Sequence, residues 1–265
     1  MRDGVTTTST KLQAQPLTNL ASDGLPHCET CRDLRVVRVD AQPGQSQFGS
    51  LIPCPACGDQ ARAKRRGEIL AYRQGQITHY SQHHGRAMRQ TFATFDPRQE
   101  EGQTTATVRL ALQKARSFAE DPAGWLVLTG TKGTGKSHLC AAITNAQGGR
   151  PTLFLNIPNL LDLLRAGYQN DSYQALLRLC QTIDVLVLDD LGVEKLSDWA
   201  YEKLYQILDH RYQAEMPTVI ATNCRITDLE GRLADRLADN DLSQVFQILA
   251  PSWRQRKNHP GLVVQ

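Results

Sequence analysis

Apolar positions along the chain change their spacing from one region to the next. Over residues 34–39 they largely alternate with polar ones, the mark of a short half-buried strand. Residues 61–72 are basic and contain alanine, and predict a helix, whereas 79–90 are polar and rich in histidine and read as a linker. Between 105 and 119, Val108, Leu112, Ala115 and Phe118 recur at helical spacing until Asp121-Pro122 ends the element. Short apolar runs of strand length then follow at 125–130, 152–156, 184–190, 218–223 and 244–249. Helical patterns separate them at 135–147, 159–165, 173–181, 198–213 and 228–238. Five apolar strands spaced by helices predict an α/β fold, with a five-stranded, mostly parallel sheet covered on both faces.

This pattern divides the chain into a flexible tail over 1–24, a small module over 25–60, a basic helix and linker over 61–91, a main domain over 92–250 and a C-terminal tail over 251–265. Apolar residues make up 40% of the chain and charged residues 22%, enough to build an ordinary core and too apolar for wholesale disorder. The formal net charge of +3 excludes a histone-like polycation but leaves room for local basic patches. No apolar run approaches the roughly 18 residues that a membrane-spanning helix needs. The first twenty residues lack the apolar centre of a signal peptide, so a cytoplasmic chain with no membrane partner is expected. Its seven cysteines are then expected to be reduced.

The strongest chemical signal is Gly130-Thr131-Lys132-Gly133-Thr134-Gly135-Lys136-Ser137, which fits G-x-x-x-x-G-K-[ST] at every fixed position and lies between a predicted strand and a predicted helix. Its glycines let the backbone wrap so that successive N–H groups face phosphate, and the helix that follows adds its positive end. Lys136 is expected to reach the β- and γ-phosphates of ATP, and the Ser137 hydroxyl to ligate Mg²⁺. Farther on, Val185-Leu186-Val187-Leu188 leads into Asp189 and Asp190. Asp189 is the expected second holder of Mg²⁺ and Asp190 the group that polarises the attacking water. Asn223 ends the next apolar strand, where it either orients that water and senses the γ-phosphate or simply caps the strand end.

Cys28-x-x-Cys31 and Cys54-x-x-Cys57 lie 22 residues apart in the small module. Each pair can clasp one edge of a tetrahedral site, and a hairpin between them would bring the edges together, so a structural Zn²⁺ held by four thiolates is expected. A redox role for the pairs would need a thioredoxin-like βαβ setting that is missing here, and His27 is a less favoured substitute ligand. Gly58, after Cys57, is expected to supply a positive φ for the metal knuckle. Cys140, Cys180 and Cys224 fall in apolar stretches and read as buried side chains. The run Arg62 to Arg66 either meets nucleic-acid phosphates or an acidic partner, or forms a solvated helix face.

Together GTKGTGKS, VLVLDD and ATN resemble the AAA+ superfamily of P-loop ATPases. Asp189-Asp190-Leu191-Gly192 and Gly231-Arg232-Leu233-Ala234-Asp235-Arg236-Leu237 sharpen the likeness to bacterial replicative-helicase loaders of the DnaC/DnaI type and to the related IstB-type transposition helper ATPases. The resemblance covers roughly residues 92–250, and Thr91 to Asp96 is similar to the segment that leads into the ATPase core of these proteins. It implies an ATPase that self-associates, contacts single-stranded DNA and acts on a replicative DNA helicase, with the zinc module gripping the helicase. It also implies an arginine finger that acts on a neighbouring subunit: Arg236, with Arg232 one turn earlier as second choice, or else an arginine paired with Asp235 or Asp239. Asp190 stands where most AAA+ proteins carry Glu, which leaves open a nucleotide switch with negligible hydrolysis. The 15 residues after Ala250 are too few for a C-terminal helical lid, so neither a lid nor its arginine is expected. A P-loop kinase is disfavoured, because no arginine-bearing lid insertion is found.

Overall fold

The structure, a computed structural model, describes residues 25–97, 103–169, 172–192, 197–228 and 231–253. The expected tail over 1–24 lies outside the described residues, as does 254–265 of the expected C-terminal tail over 251–265. The chain divides into two compact units between Arg73 and Gln74.

In the first unit β1 (Val36–Arg38) pairs antiparallel with β2 (Leu51–Pro53), with Val37 opposite Ile52. The first cysteine pair precedes β1 and the second follows β2, so closing the hairpin brings the pairs together. The strand predicted over 34–39 is shorter in the structure because Arg35 adopts a left-handed φ of 60° that interrupts extended backbone. Helix α1 (Gly58–Tyr80) begins directly after Cys57 and runs well past the predicted end at 72. Gly58 does not supply the expected positive φ. Left-handed residues instead follow the first cysteine pair, at Arg32 and Asp33. Glycine is needed at 58 for closeness, since a Cβ there would sit 2.6 Å from the Pro53 Cβ.

The second unit is a parallel sheet with its strands in the order β4 (Thr152–Asn156), β5 (Val185–Leu191), β6 (Thr218–Thr222), β3 (Trp125–Thr129), β7 (Ser243–Gln247). Successive side chains on a strand alternate between faces. Trp125, Val127, Leu153, Leu155, Leu186, Leu188 and Ile220 join one core. It is completed by α5 (Ile157–Gly167), α6 (Ser172–Thr182), α7 (Asp198–Gln213) and α8 (Gly231–Ala238). Leu126, Leu128, Phe154, Val185, Val187, Val219 and Ala221 face the opposite way, under α3 (Gln103–Glu120) and α4 (Lys136–Ala146). Both faces are therefore dry, which is why these strands read as unbroken apolar runs.

Arg211 of α7 is fully buried. Its guanidinium donates to the carbonyls of Cys180 (3.1 Å), Ile183 (2.8 Å) and Pro217 (2.6 Å) and to Thr218 Oγ1 (2.9 Å). Burial draws its pKa down to about 10, so the group stays charged at neutral pH and ties the end of α6 to the start of β6. The segment read as a linker is bonded to the sheet: the Gln82 N–H donates to Phe154 O (2.8 Å), and the Asn156 N–H donates to Gln82 Oε1 (2.7 Å). A short helix α2 (Arg86–Arg89), which the sequence pattern does not foresee, follows.

Candidate nucleotide site

All five strands run parallel, so their carboxyl ends lie along one edge of the sheet, the place where open α/β folds bind ligands. The phosphate loop leaves β3 at that edge and enters α4. Gly130, Gly133 and Gly135 take φ values of 143°, 84° and 107°, which side chains with a Cβ rarely adopt. Space excludes side chains as well, because a Cβ at Gly130 would lie 2.6 Å from Ile248 O and one at Gly133 would collide with the Ser252 side chain. Thr134 Oγ1 donates to Thr131 O at 3.0 Å and braces the loop from within.

The Lys136 ammonium is buried against this loop and donates to Gly130 O (2.6 Å), Thr131 O (2.9 Å) and Asn223 Oδ1 (2.9 Å). The Ser137 hydroxyl donates to Asp189 Oδ1 at 3.1 Å. These two oxygen groups, one from the first turn of α4 and one from the end of β5, are hard donors of the kind Mg²⁺ takes.

Asp189 and Asp190 owe their directions to a break in the sheet. Leu188 pairs with Ile220 and Leu191 with Thr222, so two residues of β5 stand opposite the single Ala221 of β6. Asp190 has a φ of 61° at this bulge. In a regular strand the two carboxylates would point to opposite faces, whereas the bulge turns both toward the phosphate loop. The Thr222 hydroxyl donates to Leu191 O at 2.6 Å and closes the irregular stretch. Asp189 is buried, and burial pushes its carboxyl above the usual range; the Ser137 hydroxyl pulls it back and the charge of Asp190 pushes it farther up. Asp190 is exposed.

Because β6 lies between β5 and β3, Asn223 emerges between the two motifs. Its amide NH₂ donates to Asp190 Oδ1 at 2.9 Å while its oxygen accepts from Lys136. One side chain thus links the phosphate lysine to the exposed carboxylate. These groups line a cavity of about 550 Å³ together with Lys132, Gly133, Thr134 and Gly135.

The rest of the wall comes from residues that sequence reasoning did not assign to the site: Arg86, Gln90, Thr94, Phe95, Asp96, His138, Asn156 and Trp253. Three side chains fix the 86–96 stretch. Asn145 of α4 donates to Ala87 O and Gln90 O, the His138 ring donates to Thr91 O at 2.9 Å, and the Arg116 guanidinium lies over the Phe92 ring. The one signal for it in the sequence is the family-like phrase Thr91 to Asp96.

Arg236 lies outside this cavity's lining. Its Nε and Nη2 both donate to Asp209 Oδ1 of α7, at 3.2 and 3.1 Å, and its guanidinium stacks 4.1 Å over the Tyr212 ring. The carboxylate that holds it is therefore Asp209, rather than Asp235 or Asp239. Arg232 is exposed one turn earlier on α8. Cys140, Cys180 and Cys224 are buried, as their apolar surroundings predict. Arg62, Arg65 and Arg66 are exposed on α1.

In the first unit the sulfurs of Cys28, Cys31, Cys54 and Cys57 all lie within 4.8 Å of one another, and all four residues are buried. The Cys28 and Cys54 sulfurs are 3.8 Å apart and those of Cys31 and Cys57 are 3.4 Å apart. Four thiolates about 2.3 Å from one tetrahedral Zn²⁺ would stand about 3.8 Å from each other, so the donor set fits that ion. The Cys31 N–H, followed by Cys57, draws the Cys28 thiol down to about 6. Around it, Asp33 accepts from the Cys28 N–H (2.8 Å) and pairs with His27 (2.7 Å), so His27 faces a carboxylate beside the cluster.

The strand order, the phosphate loop and the carboxylates at the end of β5 define a P-loop ATPase fold of the AAA+ type. A model of the IstB-like ATP binding protein family matches residues 67–256, and the chain belongs to that family. The replicative helicase loader DnaC of Escherichia coli is 31% identical over 136 residues, which are 49% of this chain and 56% of that protein. The replicative helicase loader DnaI of Bacillus subtilis is 30% identical over 101 residues, 37% of this chain and 32% of that protein. A crystal structure of the DnaC helicase loader superimposes with a TM-score of 0.50 at 27% identity, covering 62% of this chain and 99% of that one. The chain thus spans about half the length of the first of these relatives.

Proposed function

We propose that this chain is an ATP-hydrolysing loader of a replicative DNA helicase, working in the cytoplasm as a self-associated AAA+ assembly that contacts single-stranded DNA. The observation that carries the nucleotide reading is the convergence of Lys136, Ser137, Asp189, Asp190 and Asn223 on one cavity. The likeness to DnaC and DnaI supports the helicase as partner.

In this reading the N–H groups of residues 130–135 and the Lys136 ammonium hold the β- and γ-phosphates. Ser137 and Asp189 hold Mg²⁺, which neutralises charge on the phosphate oxygens. Asp190 orients and polarises the attacking water. Asn223, bonded to both Lys136 and Asp190, keeps the carboxylate in register with the phosphate end. The zinc module, folded around Cys28, Cys31, Cys54 and Cys57, serves as the grip on the helicase. An arginine of α8 completes the site of a neighbouring subunit. Arg236 keeps this role only if it exchanges Asp209 for phosphate, whereas Arg232 is already exposed.

The second reading is an ATPase helper of DNA transposition, favoured by the family model itself. Pull-down from the source organism with and without ATP separates the two readings. Capture of the replicative helicase supports the loader, and capture of a transposase without the helicase overturns it.

A further inference from the structure

We infer that Trp253 forms one wall of the base-binding end of the nucleotide cavity, where a purine base stacks on its indole. This rests on the nucleotide reading above and extends it to a residue outside every phosphate-binding motif.

Strand β7 forms one edge of the sheet, beside β3. Beyond its last paired residue the chain keeps following the phosphate loop: Ile248 N–H donates to Thr129 O at 2.8 Å, and Trp253 N–H donates to Gly133 O at 2.9 Å. Between these anchors, Ile248 O closes on Gly130 and the Ser252 hydroxyl closes on Gly133, near enough that neither glycine has room for a Cβ. Residues 248–253 are therefore a strap lying along the outside of the loop. Gly133 serves the strap as well as the phosphates.

At the end of the strap the Trp253 side chain lines the cavity and remains 40% exposed. Anchored at Gly133, Trp253 shares the cavity lining with Arg86, Gln90 and Phe95, residues outside the phosphate-loop and carboxylate motifs. A large aromatic surface beside a phosphate cradle offers what the flat apolar face of a base needs, and Gln90 and Arg86 offer polar groups to its edge. Trp125 is buried in the sheet core and Trp199 packs near Tyr168 on α5–α7, so Trp253 is the tryptophan placed to report on the cavity.

The test compares wild type, Trp253→Ala and Trp253→Phe by calorimetric titration with ATP and with inorganic tripolyphosphate, both with Mg²⁺. Base–aromatic stacking predicts that Trp253→Ala weakens ATP binding by about tenfold or more. Tripolyphosphate binding should be unchanged, and Trp253→Phe should restore most of the ATP affinity. Quenching of tryptophan emission by ATP in wild type, lost in Trp253→Phe, is the accompanying signal. Equal ATP affinity in wild type and Trp253→Ala overturns the inference alone. Equal loss of ATP and tripolyphosphate also overturns it, because it would make Trp253 a brace for the phosphate loop. Wild type that binds neither ligand overturns the nucleotide reading together with this one.

Discussion

Lys136 joins more of the site than any other residue, since one ammonium meets the phosphate loop and Asn223. Lys136→Ala removes the proposed phosphate contact and three hydrogen bonds at the edge of an open cavity, where water can replace them, but no apolar packing. We predict that it abolishes ATP binding in equilibrium titration while the thermal unfolding midpoint stays within a few degrees; wild-type affinity in the folded variant would contradict the assignment. Asn223→Ala should separate binding from turnover. It frees Asp190 and removes one of the hydrogen bonds of Lys136 but leaves the phosphate-loop backbone whole, so ATP affinity should fall little while hydrolysis falls by about a hundredfold, the scale of one positioned proton-transfer group. Unchanged turnover in a steady-state assay would reduce Asn223 to a strand cap. The phosphate loop and the paired carboxylates could be picked out in the sequence because each is defined by local spacing. The pairing of Arg236 with Asp209 could not, because 27 residues separate partners that only the packing of α8 on α7 brings together.

At the scale of elements, the alternation of apolar runs and helical patterns was enough to predict the sheet, since strands buried on both faces are recognisable without their neighbours. The bulge in β5 was hidden: VLVLDD reads as one uninterrupted strand, and the extra residue becomes evident only against Ala221 on β6. The 86–96 wall was hidden for a related reason, as its polar residues have no periodicity and gain meaning from Asn145 and His138 on α4. Arg211 is the element-scale counterpart of the Lys136 hub. Arg211→Leu would leave several buried carbonyls without donors, at a cost of roughly 3 kcal/mol or more. Arg211→Lys should recover only part of this, because a point charge cannot reproduce the planar fork. Urea unfolding midpoints check both variants, and a wild-type midpoint for Arg211→Leu would contradict the clamp.

For the whole molecule, the two compact units predict separable failures. Chelation of zinc should unfold the cysteine module, seen as lost amide protection over residues 28–57, while ATP binding by the second unit persists. Metal analysis of reduced protein should find about one Zn²⁺ per chain; none would contradict the module. An arginine finger supplied between subunits predicts complementation. Arg232→Ala or Arg236→Ala, whichever silences hydrolysis, should regain activity when mixed with Lys136→Ala, because some mixed interfaces pair an intact phosphate loop with an intact finger. The loader role stands or falls on whether this chain places a helicase on DNA. The decisive measurement is the amount of the organism's replicative helicase deposited on a covalently closed single-stranded DNA circle, which cannot be threaded from an end. Wild type with ATP should raise that amount severalfold over helicase alone, and Lys136→Ala should leave it at the helicase-alone level. Equal deposition with wild type, with Lys136→Ala and with no loader at all would contradict the account.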